Sequence, residues 1–188
     1  MILLNKHCVK AFLSVLAVAF SAGLFAQAPI NTPAGQTAQQ PVAAPQLLPD
    51  APSPEMLLKL EEAPAKFIGM TVRDLLLAFG APSSVVAVRG SEAWQDDIVF
   101  KYPGGLSFYV YINRVWQVSV GTDYKKSFMG FVLGSPLEVA VSMFGLPKNQ
   151  DTQYSEWILP FENWPLRLRA ILDANGKVTA LYLYRSDI

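Results

Sequence analysis

The fold is decided by a fourteen-residue stretch, Gly69-Met-Thr-Val-Arg-Asp-Leu-Leu-Leu-Ala-Phe-Gly-Ala-Pro82. A second stretch begins 65 residues later (134 − 69) and aligns with the first without a gap: Gly134-Ser-Pro-Leu-Glu-Val-Ala-Val-Ser-Met-Phe-Gly-Leu-Pro147. Both stretches carry Gly, Phe, Gly and Pro at the same four positions. A repeated pattern indicates that one structural unit is used more than once. The sequence therefore predicts two tandem units.

Each stretch has the features of one short helix. In the first, Thr71 is expected to cap a helix that runs to about Phe79, with Asp74 as its capping partner. Gly80 provides the positive φ that ends a helix, and Pro82 prevents its continuation. The spacing predicts one apolar helix face, made of Val72, Leu75, Leu76 and Phe79.

The second stretch predicts an equivalent helix. Ser135 is expected to be the cap and Pro136 the first helical residue, and Gly145 and Pro147 end the helix. The corresponding apolar face is made of Leu137, Val141 and Phe144. A further short helix is predicted to start at Ser53-Pro54-Glu55, with Ser53 as its cap.

Strands are predicted after each repeated helix, because apolar and polar residues alternate there. They cover residues 84–88, 97–102, 106–112, 115–120, 154–159, 165–172 and 178–184. In the third of these, Ile112 is expected to face the helices together with Val110, and the next turn is placed at Asn113-Arg114. We expect an α+β fold in which two helix-plus-antiparallel-meander repeats, residues 54–122 and 123–188, form one domain with an open sheet face.

The repeated motif resembles the superfamily that joins β-lactamase inhibitor protein with the small outer-membrane assembly lipoproteins (SmpA/OmlA, BamE-like). The matching residues are Gly69, Thr71, Phe79, Gly80 and Pro82 in the first unit and Gly134, Phe144, Gly145 and Pro147 in the second. The resemblance covers about residues 63–188 and implies helices packed on an antiparallel sheet, with two units in tandem as in the inhibitor. The chain lacks the lipobox of the lipoproteins and the paired cysteines of the inhibitor.

The N-terminal residues have the composition of an export signal. Positive charge around Lys6 and Lys10 is followed by an apolar stretch and then by small residues up to Ala26. We expect residues 1–26 to be a cleaved signal peptide, with Gln27 or alternatively Pro29 as the first mature residue. Residues 27–53 are rich in Pro, Ala and Gln and are expected to form a disordered linker. The protein is then periplasmic or secreted, with no transmembrane span after signal cleavage.

Signal cleavage would remove the only histidine, His7, and the only cysteine, Cys8. This excludes Cys or His metal sites, Cys nucleophiles and Ser-His-Asp triads from the mature chain. Asp96 and Asp97 are adjacent on a predicted strand and point to opposite faces, so they cannot flank one bond. The whole chain has 15 basic and 15 acidic residues, and without its two signal lysines it is slightly acidic, which argues against nucleic acid. We therefore expect no catalysis, cofactor or metal.

Two non-catalytic functions remain open. The first is a protein-binding or scaffold module of the cell envelope, because Tyr and Arg on an uncovered sheet are typical of binding surfaces. Its candidate partner-binding residues are Tyr109, Tyr111, Arg167, Arg169, Tyr182 and Tyr184. The alternative is an envelope inhibitor or a peptidoglycan-binding module that uses tryptophans as a stacking platform. The platform residues would be Trp94, Trp116, Trp157 and Trp164.

Overall fold

A computed structural model describes residues 47–90, 96–161 and 163–187. The predicted signal peptide, most of the predicted linker and Trp94 lie outside the described residues. The helices are α1 (Pro54–Glu62), α2 (Val72–Phe79) and α3 (Leu137–Phe144), with a 3₁₀ turn at Pro64–Phe67. The strands are β1 (Ser84–Val88), β2 (Asp97–Tyr102), β3 (Leu106–Tyr111), β4 (Arg114–Val120), β5 (Ser127–Phe128), β6 (Phe131–Val132), β7 (Asn149–Gln150), β8 (Tyr154–Leu159), β9 (Leu166–Leu172) and β10 (Val178–Arg185).

Eight of these strands form one antiparallel sheet in the order β1-β2-β3-β4-β10-β9-β8-β7. The strands that follow α2 occupy one half of the sheet, and the strands that follow α3 occupy the other. The halves join where β4 pairs with β10, from Gln117–Tyr184 to Val120–Leu181. β5 and β6 form a separate hairpin. The mixed α+β class and its large antiparallel sheet agree with the sequence-based prediction.

The helices pack on one face of the sheet, here called the inner face. Phe67 and Phe79 contact Phe108 of β3, with ring centroids 6.1 and 4.9 Å apart. Phe144 of α3 contacts Trp157 of β8 at 5.9 Å. The inner-face leucines and valines in the centre of the sheet have no exposed surface: Val118, Leu168 and Leu183. One core therefore extends across the β4–β10 junction.

The first two helices start as the sequence predicts. The Ser53 hydroxyl accepts a hydrogen bond from the Met56 amide at 3.2 Å, which caps α1. The Thr71 hydroxyl accepts one from the Asp74 amide at 3.1 Å and donates to the Asp74 carboxylate at 2.7 Å. Asp74 thus completes a capping interaction with its side chain.

Two local predictions are wrong. Ser135 does not cap α3: the N-cap position is Pro136, which has no side-chain hydrogen bond to offer. Ile112 does not face the helices, because it and Asn113 both have positive φ (41° and 62°) and form the turn between β3 and β4. Positive φ at both central residues is the geometry of a type I′ hairpin, and it leaves Ile112 77% exposed.

Within the described ranges, no helix is long and apolar enough to span a membrane. In the same ranges, no three His, Cys, Asp or Glu side chains lie together in a way that could hold a metal ion.

Candidate functional site

The side of the sheet turned away from the core, here called the outer face, carries the candidate site. Successive side chains of a strand alternate between the two faces, so the strand pairing defines rows that run across the outer face. One row consists of Glu156, Arg169, Tyr182, Ser119 and Ser107. The next row consists of Ile158, Arg167, Tyr184, Gln117 and Tyr109. Five of the six predicted partner-binding residues therefore lie in two adjacent rows.

A bulge in β4 adds a tryptophan to this face. The β3–β4 register shifts between Tyr109 and Val110: Tyr109 pairs with Gln117, whereas Val110 pairs with Val115. Trp116 is the extra residue of the bulge. Its ring contacts the outer-face rings of Tyr109 and Tyr184 edge to face, at 6.2 and 6.4 Å. The Trp116 indole N–H donates to the Asp97 carboxylate at 3.0 Å, which fixes the ring orientation.

A buried carboxylate organises the β8–β10 part of the outer face. Glu156 is only 1% exposed. Its Oε2 accepts hydrogen bonds from Arg167 Nη1 (2.7 Å) and Asn149 Nδ2 (2.9 Å). Its Oε1 accepts from Arg169 Nε (3.0 Å), Arg169 Nη2 (2.7 Å) and the Tyr184 hydroxyl. Five donors on two oxygens satisfy the carboxylate, as a buried charge requires.

These contacts change two acid–base equilibria. Burial acts to raise the pKa of Glu156, but the hydrogen bonds from Tyr184, Arg169, Arg167 and Asn149 outweigh it and lower this pKa to about 2. Burial, together with the hydrogen bond to Glu156, raises the pKa of Tyr184 to about 12. At neutral pH the cluster therefore contains a carboxylate anion, a neutral phenol and two guanidinium cations, with a net charge of +1.

Two aromatic rings contact the guanidinium group of Arg169. Its guanidinium carbon lies 4.8 Å from the ring centroid of Tyr154 and 5.6 Å from that of Tyr184, within the range of cation–π contacts. Beside it is a cavity of about 350 Å³. The cavity is lined by Trp116, Gln117, Arg169, Ile171, Tyr182 and Tyr184. A fixed cation thus borders a recess with aromatic and aliphatic walls.

Tyr111, the sixth predicted partner-binding residue, ends β3 opposite Arg114 and shares the strand face of Tyr109. It lies at the hairpin end, away from the Glu156 cluster. Whether these six residues bind a partner stays a prediction.

The described tryptophans are not brought together. Trp157 is 2% exposed and lies on the inner face. Its indole N–H donates to the carbonyl of Gly145, at the end of α3, at 2.8 Å. Trp164 lies under the guanidinium of Arg185, at 3.7 Å, and packs against the core. Trp116 is on the outer face. A platform that includes both Trp157 and Trp116 is therefore wrong, because the two side chains lie on opposite sides of the sheet.

Local sequence patterns did not indicate Glu156, Asn149 and Tyr154 as members of the site. A signal for Glu156 was available: Arg167 and Arg169 are two residues apart on one strand face, and two adjacent cations favour a neighbouring anion. Glu156 lies in β8 and points to the opposite face from its neighbour Trp157, but only the β8–β9 register places Glu156 opposite Arg169. Long-range register is not encoded in any local pattern.

A second cavity, of about 400 Å³, lies between the start of α1 and the loop before β5. Its walls include Leu57, Phe79 and Leu106, and the charged residues beside it are Asp123, Lys125 and Lys126. Lys126 already pairs with Glu61 at 2.9 Å. The surface of this cavity is mainly apolar, whereas the outer face brings two guanidinium groups, a carboxylate and several aromatic rings together, which makes the outer face the stronger candidate.

Comparisons with known proteins give only remote similarity. No family model matches the chain, and no curated protein matches it. One similar structure is an extracellular protein containing an SCP domain from Bacillus anthracis (13% identity, 68% of this chain and 47% of that chain covered, TM-score 0.49). Another is a cysteine-rich secretory protein from Staphylococcus aureus (14% identity, 76% and 51% covered, TM-score 0.48). The chain spans about half the length of these structures.

The expected membership in the SmpA/OmlA and β-lactamase-inhibitor-protein superfamily is wrong. No family model of that superfamily matches the chain, and the structures found are named as an SCP-domain protein and a cysteine-rich secretory protein instead. The physical reason is that the Gly–helix–Phe–Gly–Pro motif is a device for starting and stopping one helix before a hairpin. Such a device depends on backbone geometry and serves unrelated folds.

Proposed function

We propose that this chain is an exported, non-catalytic module of the cell envelope that binds a protein partner through the outer face of its sheet. The observation that carries the proposal is the group of Tyr109, Trp116, Tyr184 and Arg167 on the outer face, all four of which stay partly exposed. Aromatic and Arg side chains that are held in place without being fully buried are the residues that dominate protein-binding energetics.

We further propose that the domain contains two copies of one structural unit and that the protein is exported. We interpret α2 with β1–β4 and α3 with β7–β10 as two copies of one unit whose sheets join at β4–β10. In support, Gly69 and Gly134 share a φ of 87°, and Gly80 and Gly145 have φ values of 76° and 81°. Residues 1–26 would direct export, and residues 27–53 would tether the domain. Mass spectrometry of the exported protein tests this: Gln27 or Pro29 is expected as the first residue, and an intact Met1 would contradict it.

Binding at the outer face can be tested by site-specific photo-cross-linking in cells. A photo-reactive residue at Tyr182 should give a discrete cross-linked adduct. The same residue at Leu58, which is 52% exposed on α1, serves as the control. Replacing Tyr109 and Arg167 with Ala should reduce the Tyr182 adduct about tenfold or more if they are binding hot spots. Equal adducts from both positions would contradict the proposal.

The second candidate is a peptidoglycan-binding or inhibitor module. It is favoured by Trp116, whose edge-to-face contacts with Tyr109 and Tyr184 build an aromatic surface that a sugar ring could stack on. Co-sedimentation with purified cell-wall sacculi distinguishes the two candidates. Sedimentation that is lost on Trp116→Ala but not on Arg167→Ala would support the sugar-binding candidate.

A further inference from the structure

The Glu156 cluster has a feature that fold stability does not explain. A buried ion pair is often no more stabilising than apolar residues of the same volume. Here a carboxylate that is 1% exposed sits on the outer face and holds two arginines whose side chains remain 34% and 41% exposed. The hydrogen-bonding capacity of the carboxylate is used within the fold, whereas the two guanidinium groups keep exposed surface.

The two arginines keep hydrogen-bonding capacity. A guanidinium has five N–H donors. Among the described residues, Arg167 donates from Nη1 alone, and Arg169 donates from Nε and Nη2. The rings of Tyr154 and Tyr184 restrict the orientation of Arg169 further. The guanidinium groups are thus held in position while some of their N–H donors remain available to a ligand. A preorganised group loses less entropy on binding than a mobile one.

We propose that Arg167 and Arg169 form an anchor for the carboxylate of an acidic segment in the protein partner, and that an apolar or aromatic side chain next to this carboxylate enters the cavity beside Trp116. Arg169 contacts Glu156 and also lines the cavity, so the two anchors are neighbours. Arg is suited to carboxylates because its planar fork matches two oxygens. Glu156 then acts as a positioning residue. This inference rests on the proposed function.

The test uses the purified, folded protein as bait and a displayed library of random twelve-residue peptides as the probe. Selection at physiological salt should enrich Asp or Glu directly beside Tyr, Phe, Trp or Leu. The affinities of selected peptides are then measured for the bait and its variants. Arg167→Gln should weaken binding about tenfold. Arg73→Gln, which removes the same charge from an exposed site on α2, should leave it unchanged.

Glu156→Gln separates positioning from charge. The substitution raises the net charge of the cluster by one unit, so simple Coulomb attraction would make acidic peptides bind more tightly. If Glu156 holds the guanidinium groups in place, binding should instead weaken several-fold although the face has become more positive. Tighter binding would overturn the positioning role. Arg167→Lys keeps both Glu156 and the positive charge but loses the planar fork, and it should also weaken binding. If Glu156→Gln does not fold, this variant tests whether the geometry of the guanidinium group matters beyond its charge.

The two proposals fail in different ways. Peptides that are apolar or basic, but that lose binding on Tyr109→Ala or Tyr182→Ala, would overturn the acidic anchor and leave protein binding at the outer face intact. Peptides that bind every outer-face variant as well as the original domain would overturn both.

Discussion

The two repeated stretches stop a helix with the same residues, Phe-Gly-x-Pro, yet the domain treats these two helix ends differently. Gly80 and Gly145 have nearly the same backbone geometry, with φ/ψ of 76°/−164° and 81°/−166°. A Cβ on Gly80 would lie 2.2 Å from the carbonyl oxygen of Pro49, whereas a Cβ on Gly145 would meet nothing within 4 Å. Phe79 is 1% exposed, but Phe144 is only half-buried. Two helix ends with the same local sequence can therefore contribute differently to the free energy of unfolding.

The largest expected effect is at Gly80. The φ/ψ region of both glycines is almost closed to other residues and costs roughly 1–3 kcal/mol for Ala. Gly80→Ala adds the collision with Pro49, so we expect a loss of about 3 kcal/mol or more in the free energy of unfolding, against about 1–2 kcal/mol for Gly145→Ala. Denaturant unfolding of both variants measures the difference. Equal losses would show that the two helix ends are equivalent after all.

The second effect is the pH dependence of stability, which arises from Glu156 in the strands after α3. The pKa of Glu156 is about 2 when folded, below its ordinary value of 4.5, so its contribution to stability is present above about pH 4.5 and is lost as the pH falls towards 2. Because the arginine partners are partly exposed, we discount the shift and expect about 2 kcal/mol. The stability difference between the original chain and Glu156→Gln should shrink over this window. A difference that stays constant from pH 6 to pH 2.5 would contradict the assignment.

The third effect tests how each helix end is tied to the sheet. The Tyr102 hydroxyl donates to the Gly80 carbonyl at 3.1 Å, and the Trp157 indole N–H donates to the Gly145 carbonyl at 2.8 Å. Tyr102→Phe removes only the donor and should cost about 1 kcal/mol. Trp157→Phe also removes buried volume and should cost about 2 kcal/mol. Thermal unfolding of the two variants checks the order, and a neutral Trp157→Phe would mean that α3 is not held by this bond.

The smallest effect is at the helix starts. Thr71 caps α2 through its hydroxyl, so Thr71→Ala should destabilise the domain by about 1 kcal/mol. Ser135, at the position matching Met70, makes no capping bond to α3, so Ser135→Ala should change stability by less than about 0.5 kcal/mol. Chemical denaturation resolves such differences when the two variants are measured side by side. A larger loss at Ser135 than at Thr71 would reverse the comparison.

Local sequence patterns predicted much of the fold. The start of α2 at Thr71, its end at Gly80 and the alternation along β3 are all contained within a few residues, because caps, positive-φ glycines and strand faces depend on near neighbours. The alternation of apolar and polar residues wrongly placed Ile112 in β3, whereas Ile112 is part of the turn. It also could not place Trp116, because a bulge interrupts the alternation on which the assignment of faces depends.

The sequence by itself determined where the helices stop, most of the strands and the apolar inner face, since each of these follows from the chemistry of adjacent residues. The tertiary structure alone decided the register of β8 against β9, which brought Glu156 opposite Arg169, and the pairing of β10 with β4, which placed Tyr184 beside Gln117. It also separated Trp157 from Trp116 by the thickness of the sheet. The physical reason is that a site is made by side chains far apart in the chain, and their meeting depends on strand register, which only the packing of the whole domain selects.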